Sequence, residues 1–300
     1  MDQINLGSVF LRPLLATFAL LLALTGCSPR QLIIDGIGSE MARQGAAPEE
    51  DLELAREASA FYLKLSESLL RASPDNHQLA EAVTASFTQY AFAFVAFEAE
   101  QIETRDVRKA QALRARAARL YARAQRHGLT MLERRASGVH EAIRAADVPP
   151  RLLLPTELLG LTYWTSAAWG SWIALSKHDP EIVAQLPQVI RLARLAWQTN
   201  PDWGRGALES LMGNLELARP GGSRAQAVHH FDRAIVLAGD QLAGPVVTKA
   251  ESISLAAGDR QSFEQLLQRA IAIAANAPTL ENQAMLARAR WLLANADELF

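Results

Sequence analysis

From residue 51 onward, apolar residues recur at spacings of three and four. That is the pattern of helices that each bury one face. Leu54, Ala58, Phe61, Leu65 and Leu69 predict a first helix, stopped by Ser73-Pro74. Leu79 to Ala99 reads as a second, carrying Phe87, Tyr90, Ala91, Phe94 and Phe97. A third runs from about Val107 to Gly128, where the glycine reads as a C-terminal stop. A fourth runs from about Thr130 to Ala146, ahead of Val148-Pro149-Pro150, and a fifth from Pro155 to Ser176. Asp179 followed by Pro180 reads as an N-cap and first helical residue. Pro187 opens a helix that ends at Asn200-Pro201. Further helices are expected over roughly 203–218, 223–238, 242–257, 260–275 and 279–298. Their breaks are Pro220-Gly221-Gly222, Gly239-Asp240, Gly258-Asp259 and Ala277-Pro278. The expected fold is all-α: about a dozen antiparallel helices with short turns, as a bundle or solenoid, over 51–300.

Such chains are often built of repeats. Ala117, Tyr121 and Ala124, then Ala227, Phe231 and Ala234, match the small–aromatic–small spacing of a tetratricopeptide (TPR) helix pair. Ala196 with Pro201 matches the end of that pattern, and Ala270 with Leu267 follows Ala234 at close to the repeat period. Each match is partial, so the repeats read as degenerate, with an irregular helical bundle as the other reading.

The amino-terminal stretch has a different pattern. Residues 13–24, PLLATFALLLAL, are an uninterrupted apolar run preceded by Arg12. The run is too short to span a bilayer as a helix, which takes about 20 residues, and has the layout of a secretory signal. It ends in Leu24-Thr25-Gly26-Cys27, and Cys27 is the chain's one cysteine. A single thiol makes no internal disulfide and no thiolate zinc site. This ending resembles the lipobox of bacterial lipoproteins, in which the cysteine is acylated and becomes the new amino terminus. The expected layout is therefore a signal peptide over 1–26 and a lipid-anchored linker over 27–50. Ser28, in place of the Asp that often retains such proteins at the inner membrane, favours the outer membrane by the same resemblance.

Composition narrows the chemistry. With 30 basic and 32 acidic residues, the net charge of −2 shows no basic excess for nucleic acid. Catalytic signatures are missing, so no enzyme activity and no cofactor are expected. His140-Glu141 is not followed by a second His at 144, as a zinc-protease helix requires. His229 and His230 are adjacent, about 100° apart on a helix, and read as solvated or capping residues. Gly36-Ile37-Gly38 has no phosphate-loop context. The basic run from Arg105 to Arg126 reads most simply as a solvated helix face.

One segment carries more information. Residues 163–172, YWTSAAWGSW, hold three of the six tryptophans among Ser, Ala and Gly. On a helix Trp164, Trp169 and Trp172 fall within an arc of about 140°. Gly170 inside a helix costs about 1 kcal/mol against Ala. Two readings stand: a tightly packed core helix, or an aromatic cleft for a ligand or partner segment. In the second, Tyr163 belongs to the cleft, and Tyr90, Phe94 and Phe97 are the opposing wall.

The stretches LKLSESLLRASPDN (63–76), FTQYAFAFV (87–95), RLYARA (119–124), YWTSAAWGSWIAL (163–175), GGSRAQAVHHFDRAI (221–235) and GDRQSFEQLL (258–267) together resemble the T component of TPR-protein-associated TRAP transporters. The resemblance covers about residues 50–275. It implies a periplasm-facing lipoprotein that partners the solute-binding subunit of a tripartite, ATP-independent transporter of small organic acids or related solutes. It also implies a homo-oligomer, a trimer, with a hydrophobic cleft or pore, and no catalytic residue. An outer-membrane TPR scaffold for envelope assembly or secretion shares the anchor and the helices, and differs only in its partner.

Overall fold

A computed structural model describes residues 51–145 and 152–300. Cys27, the leader over 1–26 and the linker over 27–50 lie outside the described residues, as does the Val148-Pro149-Pro150 break. Among the described residues the structure is all-α, without strand elements.

The chain opens with α1 (Leu52–Ala72) and α2 (His77–Tyr90). A π-helical segment (Ala91–Ala96) and α3 (Phe97–Ile102) continue α2 without a break in helical backbone angles. The long α4 (Val107–Arg135) and short α5 (Val139–Arg144) follow. Next come α6 (Leu159–Leu175), α7 (Pro180–Val183) and α8 (Leu186–Thr199). The remainder is α9 (Ala207–Ala218), α10 (Arg224–Ala238) and α11 (Gly244–Lys249), a second π-helical segment (Ala250–Ser254), α12 (Arg260–Asn276), α13 (Leu280–Ala294) and α14 (Ala296–Leu299). Most boundaries fall at side-chain caps. Asn76, Asp106, Asp179, Ser223, Asp259 and Thr279 each accept a backbone N–H from the following first turn. Each cap satisfies a donor that has no partner inside its helix.

Three sequence expectations fail for physical reasons. The fourth helix, expected from about Thr130, is the end of α4 and the separate α5, parted at Ala136–Gly138, where Gly138 takes a φ of 88°. Gly128 does not end a helix; α4 runs through it to Arg135. A Cβ at 128 would lie 2.0 Å from Thr165 Oγ1 and 3.2 Å from Thr84 Cγ2. The glycine is there because α2, α4 and α6 cross at that point, not because a turn needs it. The stripe of Leu54, Phe61 and Leu65 on α1 is also not its buried face. These three are exposed, and α1 buries Ala55, Leu63, Ser66, Glu67 and Leu70 instead.

The small–aromatic–small positions are helix contacts. Ala117, Tyr121, Ala124, Ala227, Phe231 and Ala234 are all buried. On α9, a Cβ at Gly213 would meet the Phe231 ring at 2.9 Å. Packing gathers into two cores. The first joins α1, α2, α4, α6, α8 and α9, from Leu63 to Leu215. The second joins α10 to α14, from Ile235 to Ala296. Helix α13 returns to touch α1, so the array closes on itself.

Candidate functional site

Closure leaves a cavity of about 900 Å³ at the seam between the two cores. That volume lies within the usual range for ligand sites. One side is Phe92, Tyr163, Trp164 and Leu186 from the first core's helices; the other is Leu242, Pro245 and Met285 from the second. A smaller chamber of about 200 Å³ adjoins it across Phe92, Trp164, Glu281 and Met285. A third hollow, a groove of about 570 Å³ between α1, α2 and α13, is lined in part by Tyr90, Phe94 and Phe97.

The α6 segment divides its aromatic residues between core and cavity. Tyr163 and Trp164 line the cavity and meet edge-on at 4.9 Å. Tyr163 also packs on Trp203 at 5.0 Å. Trp169 and Trp172 do not line it. Trp169 is buried, and its Nε1–H donates to Gln185 Oε1 at 2.8 Å. Trp172 packs half-buried against the first core. The segment is therefore split: Trp169 and Trp172 pack in the first core, and Tyr163 and Trp164 face a cavity. An arc of about 140° is wide enough to meet both a packed neighbour and an open space. A Cβ at Gly170 would make only ordinary contacts, 3.8 Å to Leu215 and 3.9 Å to Val189, so no neighbouring helix demands glycine there. Its open face belongs to the cavity wall.

The α2 aromatics take up several positions. Tyr90 and Phe94, 5.6 Å apart, line both the smaller chamber and the groove. Phe97 lines the groove alone and meets Trp291 edge-on at 5.7 Å. Phe92 reaches the main cavity, although on a regular helix it would lie about 200° from Tyr90. It sits inside the π-helical segment, which changes the phase of the helix. Such segments are frequent at functional sites, and nothing in the FTQYAFAFV stretch marks one.

Polar groups at the seam are interspersed among the apolar ones, including Thr88, Gln89, Ser171, Asn214 and Thr248. Ser210 lines the cavity, and its hydroxyl oxygen is shielded from solvent without a hydrogen-bond partner among the described residues. Glu281, in the first turn of α13, lines both hollows. It is solvent-exposed, yet the protein atoms around its carboxyl raise its pKa, partly opposed by the charge of Arg205. The Tyr163 hydroxyl is raised by burial and by the nearby Glu281. Lys177 stands exposed at the cavity rim. The start of α13 is fixed by buried Asn282. Its Oδ1 accepts from Ala243 N–H at 2.9 Å, and its Nδ2–H donates to the Gln241 and Ala277 carbonyls at 2.8 Å each.

Across the seam runs one buried cation. Arg288 on α13 donates from Nε and Nη2 to the two carboxylate oxygens of Glu251, at 2.9 and 2.6 Å. The same Nη2 lies 3.0 Å from Glu100 Oε2. Its guanidinium stands over the rings of Phe92 at 5.5 Å and Phe97 at 5.4 Å. Phe92 lies in the first π-helical segment and Glu251 in the second, so one side chain ties both to α13.

The other titratable clusters are structural. Buried Glu67 on α1 accepts from Arg123 and from Lys64 Nζ at 2.9 Å, and lies 2.9 Å from His127 Nε2. Burial alone would raise its pKa, but these partners win and lower it to about 2. His230 is not solvated: its Nδ1 lies 2.5 Å from Glu209 Oε2, and Trp197 Nε1–H donates to Glu209 Oε1 at 3.0 Å. The basic run is likewise shared out, with Arg114 paired to Glu103, Arg123 to Glu67, and Arg108, Arg119 and Arg126 exposed. Among the described residues, no group of three or more His, Cys, Asp or Glu could hold a metal ion, and no helix is long and apolar enough to cross a membrane.

The chain belongs to the TRAP transporter T-component family, whose model matches residues 48–300. Its members are accessory components of TRAP transporters. A relative from Treponema pallidum (strain Nichols), described only as an uncharacterized protein, is 24% identical over 264 residues, which is 84% of this chain and 81% of that protein.

Proposed function

We propose that this protein docks the periplasmic solute-binding subunit of a TRAP transporter and holds a small solute in the cavity at the seam between its two cores. The observation that carries the reading is the cavity itself: about 900 Å³, walled mainly by apolar and aromatic side chains, with polar side chains such as Gln89, Ser210, Asn214 and Glu281 interspersed. Sites for small molecules are built this way, with an apolar wall for affinity and a few polar groups for orientation.

In this reading Cys27 carries the lipid, and residues 28–50 tether the array to the periplasmic side of a membrane, the outer membrane by preference. More than one acyl chain is needed for stable anchoring, as in the lipoprotein scheme. The exposed Leu54, Phe61 and Leu65 stripe on α1 supports self-association as an oligomer, with the trimer as the form implied by family resemblance. The protein itself does no chemistry; it positions the subunit and passes solute to it.

The test is a pull-down with the chain lacking residues 1–27 as bait in periplasmic extract, read by mass spectrometry. Recovery of a TRAP-type solute-binding subunit is the expected result. Recovery of envelope-assembly or secretion proteins without that subunit would contradict the docking role.

A further inference from the structure

The smaller chamber has a composition that the main cavity lacks. Five aromatic rings line it: Tyr62, Tyr90, Phe92, Phe94 and Trp164. Two carboxyl groups, Glu81 and Glu281, line it as well, and no lysine, arginine or histidine does. Neither carboxyl has a cationic partner within 4 Å among the described residues. Arg205 acts on Glu281 through its charge without pairing to it. Glu81 is built into place. It lies against Gly160, where a Cβ would sit 2.0 Å from its Oε1, and it accepts from the Leu161 N–H in the first turn of α6. Glu281 also lies in a helix's first turn. Helix termini offset part of each negative charge; no side-chain cation neutralises the rest. Glu81 is half-buried, and burial raises its pKa to about 7, while Glu281 stands solvent-exposed at the chamber's edge.

We propose that this chamber binds a small organic ammonium cation. Aromatic faces attract such a cation through the ring quadrupole. Exposed Glu281 supplies formal charge, and Glu81, with its pKa raised to about 7, is drawn into its ionised form by a bound cation. The rings already show this preference from outside the chamber. Arg116 stands over Tyr90 at 5.8 Å and Arg288 over Phe92 at 5.5 Å, and neither arginine lines the chamber. A chamber of about 200 Å³ suits an alkylammonium head group rather than a long chain. An organic anion would face two carboxyls and no cation. The inference deepens the solute-holding reading and rests on it, and it moves the solute class away from organic acids.

The experiment uses one molecular shape in three charge states. Choline, its uncharged carbon isostere 3,3-dimethylbutan-1-ol, and the anion 3,3-dimethylbutanoate are titrated calorimetrically into the full-length chain in phosphatidylglycerol nanodiscs, whose head groups carry no amine. Choline is expected to bind about tenfold or more tighter than the alcohol, and the anion weakest. Glu281→Gln and Glu81→Gln should each reduce choline affinity by about tenfold and leave the alcohol unchanged. Circular dichroism reports whether each variant folds, and the wild-type comparison stands without them. Equal binding of choline and alcohol, or preference for the anion, would overturn the cation assignment while leaving the solute-holding reading intact. No binding of any of the three would also overturn it. The main cavity is then judged separately with an apolar probe.

Discussion

The two cores are built differently, and the cavity lies where they meet. The first core packs by close approach. Gly128, Thr84 and Thr165 let three helices cross, and the threonine hydroxyls bond within their own helices, to Ala80 O at 2.7 Å and Leu161 O at 2.6 Å. It also buries Glu67 beneath more exposed cationic partners, and most of the large aromatic side chains. The second core is smaller and plainer. Leu, Val, Ile and Ala fill it around one fully buried aromatic, Phe263. Well-packed interiors leave few voids. A hollow as large as the seam cavity therefore marks a place where two separately satisfied packings abut without merging. The seam is bridged by Arg288, with its carboxylate and ring partners.

The sharpest way to break this arrangement is Arg288→Ala. It leaves Glu251 and Glu100 without their shared cation; both carboxylates are partly exposed, so the cost is about 1–3 kcal/mol, below that of a fully buried pair. The expected result is denaturant unfolding in two steps, with the second core lost first. A single unshifted transition would mean that the seam does not depend on this residue.

Gly128→Ala attacks the first core alone. The added methyl meets the Thr165 side chain, whose hydroxyl is already engaged. Overpacking of this kind costs about 1–3 kcal/mol. The second core should keep its own transition, as followed by amide hydrogen exchange on α12 and α13.

pH separates two carboxyls of opposite sign. Burial raises Glu81 from an ordinary 4.5 to about 7. The folded state then binds more protons than the unfolded chain between those values, so stability is fully present below about 4.5 and falls as pH rises toward 7. Glu81→Gln should remove that fall, giving a variant that gains on wild type by about 1–3 kcal/mol between pH 4.5 and 7. Glu67 behaves oppositely. Its folded pKa of about 2 gives stability that is present above 4.5 and lost as pH falls from 4.5 toward 2. Thermal melts across that range should show the acid loss disappear in Glu67→Gln, from a lower starting stability.

Gly170→Ala is the mildest change. No neighbour crowds a Cβ there, so the helix should gain at most about 1 kcal/mol. The same methyl enters the cavity wall, so a more stable protein should also hold an apolar probe less well.

The sequence made the helices legible because helical periodicity and N-cap residues are local signals. It misplaced Gly128 because a glycine at a helix crossing and a glycine at a helix end look alike without the partner helices. It assigned the α1 stripe to the core because periodicity reports a face and not its partner. At the site, Tyr163 and Trp164 were legible as an unusual aromatic cluster. Trp169 came with them because an arc does not say which residue meets a neighbour. Phe92, Glu81 and Glu281 were not legible. One depends on a π-helical segment, and the other two depend on which elements distant in sequence pack beside them.

The most direct test of the central claim is a titration of 1-N-phenylnaphthylamine into wild-type protein and Ala167→Phe, read by probe fluorescence. Ala167 lines the seam cavity from α6, so a phenyl ring there fills space without touching either core's interior. The account predicts saturable binding to the wild type and about tenfold weaker binding to the folded variant. Equal binding to both, or none to the wild type, would contradict the claim that the seam between the cores is where this protein holds its solute.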